Sequence, residues 1–158
     1  VSVKQVGIRR ALAVDAGALN QIRSKTPGPF APTRGLERHL AEPAVYTYLA
    51  EDEAPFGFVT VGPATDLEHA GLGEVREWFV SATYQQRGYG RKLLVHGLTV
   101  LKRRMCDSAL IWLPVEANRP LDVLLKHGFK PYPAQRLVNV DELSITEQAY
   151  LKDLSDYF

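Results

Sequence analysis

Apolar and polar positions alternate in blocks along the chain, and the period of each block predicts an element. Gln5 to Ala11 reads as a first strand. Asp15 then stands where a cap would open a helix running to about Lys25, with Leu19 and Ile22 three apart on one face. The breaker Thr26-Pro27-Gly28-Pro29 separates it from a second short helix, about Thr33 to Ala41, which carries Leu36 and Leu40 and ends before Pro43. Val45 to Leu49 and Phe56 to Val61 are strand-like runs, and Glu51 to Pro55 between them suits a hairpin. A third such run spans Glu74 to Val80. From Gly88 to Met105 the pattern becomes helical: Leu93, Leu94, Leu98, Leu101 and Met105 share one face, and Gly97 on that face permits close packing on a sheet.

Ala109 to Leu113 reads as a strand buried on both faces. A helix follows from about Pro120, with Leu121, Leu124 and Leu125 as its stripe and Gly128 as its stop. Phe129 to Tyr132 and Arg136 to Val140 predict two last strands. Ser144-Ile145-Thr146-Glu147 has the form of a capping box, which predicts a C-terminal helix bearing Tyr150, Leu151 and Leu154. The order β-α-α-β-β-β-α-β-α-β-(β)-α is that of an α/β (α+β) domain with a mixed sheet.

Composition narrows the options without naming a function. The 158 residues suit one domain, spanning 1–158, with 46% hydrophobic and 23% charged residues. Nineteen basic residues against eighteen acidic ones leave a net charge of +1, so no general polycation for nucleic acid is present. No apolar run is long enough for a spanning helix, and the first residues lack a leader-like apolar stretch. The single Cys106 does not require an oxidising compartment, and a cytoplasmic location is expected. His39, His69, His96 and His127 stand far apart, none in a metal-type spacing with Cys106, so no metal is expected. Cys106 itself lacks a recognisable histidine partner and reads as a small packing residue.

The chemistry lies in Val80-Ser81-Ala82-Thr83-Tyr84-Gln85-Gln86-Arg87-Gly88-Tyr89-Gly90-Arg91, which joins a strand to the N-terminus of the strongest helix. Free amides and the helix dipole there favour phosphate, and Arg87, Arg91 and Lys92 add charge. A Cβ at Gly88 or Gly90 would be expected to block the close approach of backbone to such a group. No Gly-Lys-Ser/Thr follows, so a nucleotide P-loop is excluded. The third glycine of a dinucleotide fingerprint would fall at Leu93, which excludes that motif too.

Gln85-Gln86-Arg87-Gly88-Tyr89-Gly90, the preceding strand Glu74 to Val80, and Lys126-His127-Gly128-Phe129 together resemble the GNAT superfamily of acyl-CoA-dependent N-acetyltransferases over nearly the whole chain. The resemblance implies a mixed, mostly antiparallel sheet of 6–7 strands flanked by about 4–5 helices. It implies an acetyl-CoA co-substrate whose pyrophosphate rests on the amides from Gln86 to Arg91, within a cofactor-binding turn that starts at Gln85. Unpaired backbone around Phe79, Val80 and Ser81 would take the pantetheine arm, and the Val80 N–H would stabilise the oxyanion.

The implied acceptor is a small-molecule or peptide amine, and Glu74 and Glu77 are the candidates for removing its proton. Spaced three apart on a strand, the two should point to opposite faces unless a bulge alters parity. A solvated strand carboxylate paired with Arg76 or another cation is the competing role for each. The chain also departs from the family. Leu124 stands where many members carry an acidic tyrosine, and Ala117 where they carry an asparagine. Asn118 therefore either contacts the cofactor one residue off register or caps the helix. A non-catalytic acyl-CoA-binding or sensing module is the rival function. Tyr46, Tyr48, Tyr150, Tyr157 and Phe158 either border the acceptor cleft or pack, including across a homodimer. His96 is expected on the helix surface.

Overall fold

The computed structural model describes residues 6–25, 36–116, 118–140 and 142–157; the side chains of residues 36–38, 67, 118 and 140 are outside that description. Among these residues, seven strands and four helices follow in the order β1 (Gly7–Arg10), α1 (Ala16–Lys25), α2 (Leu36–Ala41), β2 (Tyr46–Glu51), β3 (Pro55–Pro63), β4 (Gly73–Val80), α3 (Tyr89–Arg103), β5 (Ser108–Pro114), α4 (Asn118–Lys126), β6 (Lys130–Val140) and β7 (Leu143–Asp153). One sheet holds all seven strands in the order β1-β2-β3-β4-β5-β7-β6. Every pairing is antiparallel except β4 with β5. This is the α/β architecture that the element order predicts. None of the described helices is long and apolar enough to cross a membrane.

Helix α3 covers one face. Leu93, Leu94, Leu98 and Leu101 are buried with Val59, Val61, Val75 and Trp78 of the sheet. Gly97 makes the close packing possible: a Cβ there would lie 2.9 Å from Val61 Cγ1 and 3.2 Å from Val59 Cγ2. Leu124 and Phe129, from α4 and its exit, extend the same core, and Gly128 ends α4 with φ +86°. Leu19 and Ile22 of α1, with Leu40 of α2, bury the opposite face against Leu49, Phe58 and Phe79.

Several elements differ from expectation. The Ser144 capping box starts no helix. Strand β7 lies between β5 and β6, where long-range pairing overrides the local signal: Val138 faces Ile145, and Ile111 faces Tyr150. Arg136 sits directly across from Glu147, and their side chains meet at 2.7 Å. The two strands predicted over 129–140 are one strand, irregular between Pro131 and Gln135. Asp15 does not cap α1. It ends a 3₁₀ turn, accepts the Leu12 N–H at 2.7 Å and is gripped by Arg9. Helix α4 opens two residues before Pro120, and Leu125 is 48% exposed. Met105 lies beyond the end of α3 with φ +67° and is 87% exposed.

The aromatic residues also sort themselves. Tyr48 packs on His96 at 4.4 Å, which makes His96 half-buried and depresses its pKa chiefly by desolvation. Tyr46 lies under the guanidinium groups of Arg10 and Arg104, and Tyr150 is core. Burial pushes the Cys106 thiol up, in keeping with a packing role. Phe158 lies outside the described residues.

Candidate active site

Strands β4 and β5 pair only from Gly73 with Ala109 to Val75 with Ile111. Beyond that point β5 continues to Pro114 on β7 alone, while β4 continues to Val80 on β3 alone. Two adjacent parallel strands therefore diverge toward their C-terminal ends, and a V-shaped gap opens between them. Each lip presents backbone groups with no sheet partner on that side, which need one from elsewhere.

The direction of those groups follows from the β3–β4 ladder. Ser81 N–H donates to the Phe56 carbonyl at 2.7 Å. Amides alternate along a strand, so Phe79, opposite Phe58, also turns toward β3. Trp78 and Val80 turn theirs into the gap. Of the three residues expected to offer unpaired backbone, Val80 alone does so, and Trp78 joins it. Phe79 instead packs its ring on Phe58, at 5.5 Å. The Val80 carbonyl is already taken by Gln85 Nε2, at 2.9 Å, while the Val80 N–H still points into the gap.

The chain then turns at the open end of the V. After a 3₁₀ turn over Ala82–Tyr84, Gln86 adopts φ +63° and Gly88 φ +87°. Gly88 is the N-cap of α3, and its carbonyl accepts the first helical bond, from Lys92 N–H at 3.1 Å. The N–H groups of Tyr89, Gly90 and Arg91 thus have no acceptor within the helix. Space beside Gly88 is open, with nothing within 4 Å of a Cβ built there. Gly90 differs from expectation: its Cβ would point at the sheet, 3.7 Å from Trp78 and Val80.

Aromatic packing braces the turn. Tyr84 stacks on Phe56 at 3.9 Å, Tyr89 meets Phe56 edge-on, and Asp52 in the β2–β3 hairpin accepts from the Tyr84 hydroxyl. That bond raises the phenol pKa and lowers that of the carboxyl. Trp78 Nε1 donates to the Gly90 carbonyl at 2.8 Å, tying β4 to the first turn of α3. Arg87 lies over the Tyr84 ring, exposed beside the turn.

Arg119 is a contributor that motif reasoning missed. With the Gln86 amide oxygen turned toward it, its guanidinium donates at 2.6 and 3.2 Å. The start of α4 is thereby joined to the glycine turn across the mouth of the gap. The one signal in the sequence was a basic residue two positions past Ala117, where the family carries its asparagine. The Asn118 side chain and Ala117 lie outside the described residues.

The carboxylates occupy the other side of β4. Thr60 faces Glu77 and Val61 faces Val75, which leaves Arg76 as an extra residue, a β-bulge. Glu74 faces Gly62, two residues from Thr60 on β3, so the bulge brings Glu74 and Glu77 onto the same face, that of α1 and α2. Glu74 is 4% exposed and accepts from Thr65 N–H at 3.2 Å and Thr65 Oγ1 at 3.1 Å. Desolvation raises its pKa, against the lowering effects of Thr65, Arg136 and Arg76.

Glu77 is wholly buried, and each oxygen has a partner: Arg23 Nη1 of α1 at 3.0 Å and His39 Nδ1 of α2 at 2.9 Å. The cation on Glu77 is Arg23, the other cation of the competing role, and not Arg76. Arg76 turns to the Pro63 carbonyl and to Glu42. Leu124, at the tyrosine position, is fully buried core.

A gap between parallel strands, closed at one end by pairing and faced at the other by free helix amides, suits a long ligand with an anionic segment. Solved structures that resemble this chain include yncA of Salmonella typhimurium with its cofactor acetyl-CoA (TM-score 0.77, 18% identity, covering 96% of this chain and 95% of that one). They also include the ribosomal-protein-S18-alanine N-acetyltransferase of Escherichia coli (0.76, 14%, 96% and 95%). A third is the IAA acetyltransferase of Bacillus cereus ATCC 14579 (0.70, 15%, 95% and 100%). At these identities they establish the fold. No curated protein matches the chain. The model of the acetyltransferase (GNAT) family matches residues 16–129, and the chain therefore belongs to that family of acetyl-CoA-dependent acetyltransferases.

Proposed function

We propose that this acetyltransferase moves the acetyl group of acetyl-CoA directly to a primary amine on a small molecule or peptide. The observation that carries the reading is the V-shaped gap between β4 and β5 with the Gly88 turn at its open end. In this reading the free amides from Gln86 to Arg91 hold the pyrophosphate, with Arg87 adding charge and Gln85 holding the turn against Val80. Backbone of Trp78 and Val80 takes the pantetheine amides as an added strand. The Val80 N–H donates to the thioester carbonyl and stabilises the oxyanion that forms on attack.

The acceptor enters from the α1/α2 face, where the bulge gathers Glu74 and Glu77. A lysine-like amine, with a reference pKa of about 10.4, arrives protonated and must lose a proton before it attacks. Both carboxylates are buried on that face, and Glu77, with no free surface, acts through the groups it holds. Leu124 offers no proton to the departing thiolate. A thiol of pKa about 8.5 is a fair leaving group and takes its proton from the attacking nitrogen or from water.

Two measurements test the reading. Acetyl-CoA should raise the melting temperature in proportion to the logarithm of its concentration. A panel of primary amines should then give amine-dependent CoA release, read with a thiol reagent. Stabilisation without release on any amine would favour the sensing module, a role that the apolar Leu124 position fits. No stabilisation would remove the site itself.

A further inference from the structure

We infer that His39 is the group that takes the proton from the acceptor amine, and that Glu77 is the residue that positions it. The inference rests on the proposed amine transfer and assigns its base. Glu77 accepts from Arg23, and an ionised carboxylate can only accept. The 2.9 Å contact with His39 therefore fixes the proton of a neutral ring on Nδ1. Nε2 then carries the lone pair. Among the described residues Nε2 makes no hydrogen bond, and the side chain keeps 11% of its surface.

A buried carboxylate that orients an imidazole, with the second ring nitrogen left as an acceptor, is the arrangement that sets tautomer and direction in acid–base pairs. Arg23 has its own purpose here. It meets the far oxygen of Glu77, so the charge of the wholly buried carboxylate has a cationic partner.

Position supports the assignment. Glu77 lies on β4 three residues before Val80, on the α1/α2 face, and two residues past the last β4–β5 pair at Val75. It thus stands beside the diverging part of the gap. Glu74 lies before that last pair, under Thr65. The charged groups on the elements packed against α2 are Arg23 and Lys25 of α1, Asp15 and Glu51 (both held by Arg9), and Glu77; just past the end of α2, Glu42 pairs with Arg76. The step balances. The ammonium gives one proton to Nε2 and its nitrogen attacks the thioester carbon. The C–S bond breaks, the second nitrogen proton reaches the thiolate, and the amide keeps the third.

The test uses the intact protein and an amine that wild type acetylates. His39→Asn keeps a donor for Glu77 at the Nδ1 position and removes Nε2. The expected result is an unchanged melting temperature within a few degrees, unchanged acetyl-CoA affinity, kcat lower by roughly 10²–10³ and loss of the acidic limb of the pH–rate profile. Glu77→Gln should shift that limb and lower kcat without erasing it. Should Glu77→Gln fail to fold, His39→Asn decides alone, and His39→Gln, which places a nitrogen near Nε2 without a lone pair, repeats the loss. Wild-type kcat and pH profile in His39→Asn overturn the assignment and leave amine transfer standing. The same holds if Glu74→Gln alone erases the limb. If wild type releases no CoA with any amine, the proposed function falls and the pair with it.

Discussion

The two glycines of the turn should respond in opposite ways to the same substitution. At Gly88 a methyl group meets nothing within 4 Å, so the cost to the free protein is conformational. Holding alanine at φ +87° costs about 1–2 kcal/mol. For a domain of this size that lowers the melting temperature by roughly 2–8 °C. The open space is where an anion would approach the free amides of α3. A methyl there should remove one charge-assisted hydrogen bond, about 1.5–3 kcal/mol, or roughly 10- to 150-fold in Kd for acetyl-CoA.

At Gly90 the added methyl points away from that space, into ordinary contact with Trp78 and Val80. Alanine is better than glycine within a helix by about 0.8–1 kcal/mol, so Gly90→Ala should melt roughly 2–4 °C higher. Its affinity should stay within about threefold, since no amide is covered. Gly88→Asn separates the two costs at Gly88, because asparagine tolerates the left-handed conformation while still carrying a Cβ. It should recover the melting temperature and not the affinity. Calorimetric titration and thermal melts on the same three variants supply every number. Wild-type affinity in Gly88→Ala would refute the placement of the anion at this helix start. An equal loss in Gly90→Ala would mean that the ligand approaches from the sheet side of α3.

Leu124→Tyr should cost about 1–3 kcal/mol by overpacking a fully buried site, with no gain in turnover; a faster enzyme of unchanged stability would return the position to acid chemistry. Gly97→Val should cost a similar amount by urea denaturation, because Val61 Cγ1 already lies 2.9 Å from its Cβ. Burial raises the Glu74 pKa in the folded state above its unfolded value, so the stability linked to its protonation is present at acid pH and fades as pH rises through the raised pKa. Glu74→Gln should therefore gain in melting temperature over wild type as pH goes from 4 to 8, and a constant difference across that range would show that Thr65 keeps the carboxylate ionised at little cost.

What could be read ahead of the structure was what short-range pattern decides. The stripe of α3 from Leu93 to Leu101 and the role of Gly97 follow from a 3.6-residue period, and both hold, while Met105 falls past the helix end. The C-terminal segment shows the opposite case. Ser144 to Glu147 carries a local helix-start signal, and Tyr150, Leu151 and Leu154 repeat at helical spacing. The segment is nevertheless a strand, because β5 pairs it from Glu147 to Asp153, β6 pairs it on the other side, and Arg136 waits across from Glu147. No local rule contains those partners.

The same division runs through the site. The glycine turn is contiguous, so its residues announce a phosphate-type surface by type and order alone. The face of the carboxylates is not contiguous information. Counting three residues from Glu74 to Glu77 puts them on opposite faces, and one extra residue at Arg76 reverses the result. His39 and Arg23 are further removed still: they stand 38 and 54 positions from Glu77 and meet it only because α1 and α2 pack on that face of the sheet. Taken singly, each of the three has an ordinary structural role on a helix or strand. The chemistry arises from the bulge, which turns Glu77 inward, and from burial, which forces its charge to be met. The residue that meets one oxygen is a fixed cation, and the residue that meets the other is the one side chain whose ordinary pKa lets it take and return a proton near neutrality.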